Sequence, residues 1–104
     1  MLKQLAKKTV HPGEILRERF MVEFGLNINR IARDLHVPVT RVAEIVNECR
    51  AVTPDMALRL ARYLGTSAEY WMNLQTDHAL ELARVDLADI EREVLPLRAA
   101  RQTA

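Results

Sequence analysis

Glycine and proline are so sparse in this chain, and so placed, that helices are almost the only regular structure open to it. Three Gly and four Pro serve 104 residues. Each stands at the edge of an apolar run with helical spacing, whereas a β-fold of this length needs many more turn residues. Pro12 begins the first run, where a missing N–H costs nothing, and Glu14 favours the positive helix end. Ile15, Leu16, Phe20 and Phe24 form an apolar stripe that Gly25 stops. Asn27 is placed to cap a second, short helix with Ile28, Ile31, Ala32 and Leu35 inward. After a break at His36-Val37, Pro38 is expected at the first position of a third helix, with Val42, Ile45 and Val46 inward. Thr53-Pro54 opens a fourth, burying Met56, Ala57, Leu60, Ala61 and Leu64 before Gly65. Thr66-Ser-Ala-Glu69 has capping-box spacing for a fifth helix carrying Trp71, Met72, Leu74, Leu80 and Leu82. Asp86 is a candidate cap for a last helix with Leu87, Ile90 and Val94, ended by Pro96. The expected fold is all-α: a compact five-helix domain over residues 11–83, a flexible arm at 1–10, and a C-terminal helical segment and tail at 84–104.

Composition narrows the class. Apolar residues make up 49% of the chain, enough for one packed core. A lone Cys49 cannot form an intramolecular disulfide, which suits a reducing, cytoplasmic setting. The basic start Met1-Leu-Lys-Gln-Leu-Ala-Lys-Lys lacks the apolar core of a signal peptide, and no apolar run is long enough to span a membrane. Residues 1–53 hold nine Lys and Arg against six Asp and Glu; residues 54–104 hold six against eight. The basic half suits phosphate and the acidic half a protein partner, or both are ordinary solvated surface.

The stretch from Leu26 to Asn47 carries the chemistry. Two short helices flank a tight break; small Ala32 lets them cross closely, and Val37 and Val42 fill the angle. That is the pattern of a helix-turn-helix, with the motif at about 27–46. Its alternative is a pair of core helices with a solvated face. In a helix-turn-helix the second helix offers Val39, Thr40 and Arg41, and Glu44 one turn on, to base edges. Arg41 suits guanine O6 and N7, Thr40 a base edge or thymine methyl, and Glu44 a cytosine amino group. Asn27, Asn29 and Asn47 suit phosphate oxygens, which fix register.

The chain resembles the HigA antitoxins, or VapI group, of the Xre/Cro-type helix-turn-helix proteins. The resemblance rests on His11-Pro-Gly-Glu-Ile-Leu-Arg-Glu18, Gly25-Leu26, Ile31-Ala32, Leu35, Val37-Pro38 and Arg41-Val42. It rests most on Thr53-Pro-Asp-Met-Ala-Leu-Arg-Leu-Ala-Arg-Tyr-Leu-Gly-Thr-Ser-Ala-Glu-Tyr-Trp-Met-Asn-Leu-Gln75. It covers roughly residues 11–83. It implies a Cro/lambda-repressor-like five-helix domain, a homodimer on a palindromic operator in double-stranded DNA, and a small RelE-like mRNA endonuclease toxin as partner. The antitoxin would neutralise that toxin and repress the shared promoter. Three positions depart from the family pattern. His36 stands where the turn usually has Gly, and Glu48-Cys49 replace a Gly and a basic residue after Asn47. The phosphate contact expected from that basic residue then falls to Arg50.

No enzymatic constellation is present. His11, His36 and His78 are far apart in sequence and lack Cys or carboxylates at ligand spacing, so neither a metal nor another cofactor is expected. His78 with Glu81, and Glu14 and Glu18 with Arg17 and Arg19, read as solvated faces. Trp71 reads as core and Tyr70 as partly exposed. A single helix-turn-helix makes few base contacts, so a dimer is expected. Leu80, Leu82, Leu87, Ile90 and Val94 are its candidate interface, unless this segment folds back on its own domain. Two other readings stand beside the antitoxin: an orphan Xre-type regulator without a toxin, and an interaction adaptor that no longer binds DNA.

Overall fold

A computed structural model describes residues 9–98. Residues 1–8 of the expected arm and 99–104 of the tail lie outside the described residues. Helix α1 is one helical run from Pro12 to Phe24, α-helical over Pro12–Ile15, π-helical over Leu16–Phe20 and α-helical again over Met21–Phe24. It is followed by α2 (Ile28–Leu35), α3 (Val39–Val46), α4 (Pro54–Leu64) and α5 (Ala68–Ala83). A 3₁₀ turn, Arg84–Asp86, joins α5 to α6 (Leu87–Glu93). The described residues form no strand, and among them no helix is long and apolar enough to cross a membrane.

The helix boundaries follow from local chemistry. The oxygens of Asn27, Thr53 and Ser67 accept from the backbone N–H three residues on, giving α2, α4 and α5 their first hydrogen bonds. Pro12 and Pro54 stand in the first turns of α1 and α4. Pro38 lies one residue earlier than expected. It is extended and caps α3, its carbonyl accepting from the N–H of Arg41 and Val42. The α5 cap is Ser67, so Thr66 and Glu69 make no capping box. Thr66 is occupied elsewhere: its hydroxyl accepts the indole N–H of Trp71 at 2.7 Å. Asp86 precedes α6 without a side-chain capping bond.

Helices α1, α2 and α3 share one ending. Gly25, His36 and Glu48 take the left-handed conformation, with φ of 62°, 61° and 63°. In each case that residue's N–H reaches back three residues and the next N–H reaches back five. This satisfies carbonyls that would otherwise lack partners. Glycine does this without strain; His36 and Glu48 do it with a side chain attached.

The core is built from Leu16, Phe20, Ile31, Leu35, Val42, Ile45, Val46, Val52, Met56, Leu60 and Trp71, with Ala32 and Ala57 where helices approach. Burying each of the larger side chains contributes about 1.5–3 kcal/mol. Trp71 is fully buried, its ring 5.5 Å from that of Phe20. Phe24, expected on the buried stripe, is half exposed and packs on Phe20 at 6.4 Å. The wider π turns over Leu16–Phe20 rotate the residues that follow relative to the stripe. Beyond Trp71 no described residue is buried. The radius of gyration, 17.6 Å, exceeds the roughly 13 Å of a compact chain this long.

Candidate nucleic-acid interface

Helices α2 and α3 form the helix-turn-helix, and α3 is held along its inner face and at its carboxyl end. Val42, Ile45 and Val46 sink its inner face into the core. Its carboxyl end is fixed by α1. A Cβ on Gly13 would lie 1.8 Å from the Ile45 carbonyl oxygen, so only glycine permits this approach. Arg17 donates through Nη1 to the Val46 carbonyl at 2.5 Å and through Nη2 to Glu48 at 3.2 Å. The carboxylates of Glu18, first, and Glu48 push the Arg17 pKa above its ordinary value. Helix α2 is held in the same manner: Arg59 of α4 donates to the Leu35 carbonyl at 2.8 Å, and Tyr63 donates to Asp34 at 2.5 Å. That phenol is the main reason the Asp34 carboxyl sits below the usual range.

The outer face of α3 carries the residues expected to meet bases. Val39 and Thr40 are exposed at its amino end; Arg41 and Glu44 are partly exposed. Arg41 and Arg50 flank a cleft of about 190 Å³ that Thr53 and Asp55 also line. Arg50 donates through Nε to Glu44 Oε1 at 2.6 Å, each side chain about half exposed. Of the expected phosphate contacts, Asn29 and Asn47 are exposed, whereas Asn27 spends its side-chain oxygen on the α2 cap. Sequence reasoning missed Arg17 and Arg59. Their targets are backbone carbonyls on other helices, and no spacing rule marks such residues. Arg17 in particular departs from the solvated face expected of it.

A second cluster ties the start of the fold to α5. The His11 ring lies 5.6 Å from that of His78, edge to face, although the two are 67 positions apart. Distance along the chain therefore misled: tertiary packing brings them together. His11 is buried, and its Nδ1 accepts from the Gly13 N–H at 2.9 Å. Burial, above all, lowers its pKa; Glu48 opposes that shift and His78 adds to it. Thr9 donates to Glu81 through both its N–H, at 3.2 Å, and its hydroxyl. Among the described residues no group of three or more His, Cys, Asp or Glu is arranged to hold a metal. The candidate interface residues Leu80, Leu82, Leu87, Ile90 and Val94 are all exposed, the least of them, Leu87, at 44%.

A short helix clamped at its carboxyl end, with its amino end presented to solvent, defines a helix-turn-helix protein. The helix-turn-helix family profile matches residues 16–71. Virulence-associated protein I of Dichelobacter nodosus is 46% identical over 88 residues, covering 85% of this chain and 81% of that protein. Among solved structures, the Pseudomonas aeruginosa antitoxin HigA with the higBA promoter superposes with a TM-score of 0.81 at 45% identity, over 86% of this chain and 99% of that one. The antitoxin GraA in complex with its operator gives 0.80 at 41% identity, over 88% and 93%. The chain belongs to the HigA/VapI antitoxin family of Xre/Cro-type helix-turn-helix proteins. Its relatives are transcriptional regulators and antitoxins, not enzymes.

Proposed function

We propose that this protein is a homodimeric, cytoplasmic antitoxin that binds a palindromic operator through α3. It represses its own promoter and neutralises a small RelE-like mRNA endonuclease. The observation that carries the DNA reading is α3 itself: Thr40, Arg41 and Glu44 on its outer side and Val39 exposed at its amino end, on a helix whose other side is sunk in the core. Arg41 grips guanine, Thr40 meets a neighbouring base edge, and Val39 packs on a thymine methyl. Asn29 and Asn47, with the remaining amide donor of Asn27, set register on phosphates. The clamps from Gly13, Arg17 and Arg59 keep these groups in place, as a base-reading helix requires. The relative bound to promoter DNA supports the reading.

Two copies are needed to place two recognition helices about 34–36 Å apart, one turn of DNA. The exposed apolar residues from Leu80 to Val94 suit that contact, so the end of the DNA-binding unit at 11–83 and the segment that follows it, 84–104, act together in association. Fluorescence anisotropy with the DNA upstream of the coding sequence tests the first half of the proposal. Binding should be at least about 10³-fold tighter than to scrambled DNA at the same salt. Equal affinity for both overturns the DNA reading. Expression of the adjacent reading frame tests the second half: it should arrest growth, and this chain should relieve the arrest. A harmless neighbour leaves an orphan regulator.

A further inference from the structure

The pairing of Glu44 with Arg50 has a consequence for how the α3 face reads DNA, and it rests on the operator-binding reading above. Glu44 is an acidic residue on a surface that would face phosphates, where an unneutralised carboxylate is repelled. Arg50 sits six residues on, and the left-handed turn at Glu48 brings the chain back alongside α3. The guanidinium meets Oε1 at 2.6 Å. The other nearby carboxylate, Asp55, is taken by Arg59 at 2.8 Å, so Glu44 is the acid that Arg50 serves. One carboxylate oxygen is therefore committed, the negative charge is offset locally, and Oε2 is left as the acceptor for a base.

We propose that Glu44 and Arg50 form one specificity element: Glu44 accepts from a cytosine amino group, and Arg50 is the positioning residue that fixes its carboxylate rather than an independent phosphate contact. The two residues then govern the same base pair. Arg41, one turn earlier on α3 across the cleft, governs a different one.

The test is operator binding by the full chain, measured as a function of salt and on operators changed at one base pair at a time. The variants are Arg50→Ala, Arg50→Lys, Glu44→Gln and the double Glu44→Gln/Arg50→Ala. Each single alanine or glutamine change should relax preference at the same base pair, by about tenfold. The double variant should add little to either. Arg50→Lys, which keeps the charge but loses the planar fork, should fall between. In the Glu44→Gln background, where no carboxylate is left to be repelled, adding Arg50→Ala should leave the slope of log affinity against log salt unchanged. Far-ultraviolet circular dichroism should stay unaltered, because the pair is half exposed. In that background a uniform loss of affinity on all operators, with the salt slope reduced by about 1 per site, makes Arg50 a phosphate contact and overturns the proposal. Relaxation at two different base pairs overturns it as well. Failure of the unaltered protein to prefer its operator overturns the DNA reading itself, an outcome distinct from either.

Discussion

The bundle from His11 to Trp71 and the arm from the middle of α5 through α6 obey opposite rules. In the bundle every helix has a buried face, and both helices of the motif have their carboxyl ends gripped by arginines from other helices. In the arm the apolar residues are present but uncovered: Leu82 is 60% exposed and Val85 82%. The sequence pattern is helical in both, so periodicity alone does not distinguish a face that folds from a face that associates. Tertiary closure makes the difference. The bundle has neighbours on several sides, whereas α6 packs chiefly on the short turn that precedes it.

The sharpest way to break this contrast is at Trp71, the last buried residue before the arm. Trp71→Ala removes a fully buried ring and its bond to Thr66, and should cost about 3–5 kcal/mol in urea unfolding. A loss below about 1 kcal/mol would mean that the arm is not rooted there. Next comes Gly13→Ala. The new methyl would collide with the Ile45 carbonyl, forcing α1 off α3. A cost of about 1–3 kcal/mol is expected, with operator affinity falling too; unchanged melting argues that the two helices are not wedged together.

Acid should weaken the bundle at its junction with α5. His11 has a lowered pKa when folded and an ordinary value of about 6.5 when unfolded. Above that value both states are neutral and the stabilisation is complete. As pH falls below it, the unfolded chain takes up a proton that the folded chain resists, so stability declines towards the lower folded value and then levels. The groups facing His11 are Glu48, His78 and Arg17. Urea midpoints between pH 7 and 5 should fall for the unaltered protein and less for His11→Asn. Identical slopes would place the acid sensitivity elsewhere. The smallest effect on the bundle is expected from truncation after Ala83. Compared with the full chain at concentrations low enough to dissociate it, the bundle itself should keep its stability within about 0.5 kcal/mol. Sedimentation should show a monomer, with no dependence of melting on protein concentration. A truncated chain that remains dimeric removes the arm from the interface.

Much of the fold was legible because its punctuation is local. Asn27, Thr53, Pro12, Pro54, Gly25 and Gly65 act within four residues of themselves, and each marks the helix end expected of it. The errors are cases where something beyond the local apolar pattern decides. Thr66 is not the cap, and its hydroxyl accepts from the indole of Trp71 instead. His11 meets His78 because α1 packs on α5. Phe24 leaves the core because a π-helical stretch intervenes. The face of α3 was legible as a list of residues, but not the bond between Glu44 and Arg50. That bond depends on the chain reversing at Glu48, a position that pattern reading marks only as a missing glycine.

That reversal also makes α3 a loaded part. It is bracketed by His36 and Glu48, each of which winds its backbone against the hand its side chain prefers. At Glu48 the opposed handedness costs about 1–2 kcal/mol. The half-exposed ion pair with Arg17 returns at most about 1. Glu48→Gly should therefore raise thermal stability slightly, while Glu48→Ala, which keeps the strain and loses the pair, should lower it. Seen as an engineering tolerance, this chain carries strain at the turn that closes α3, and a single glycine can release it without altering Val39, Thr40, Arg41 or Glu44.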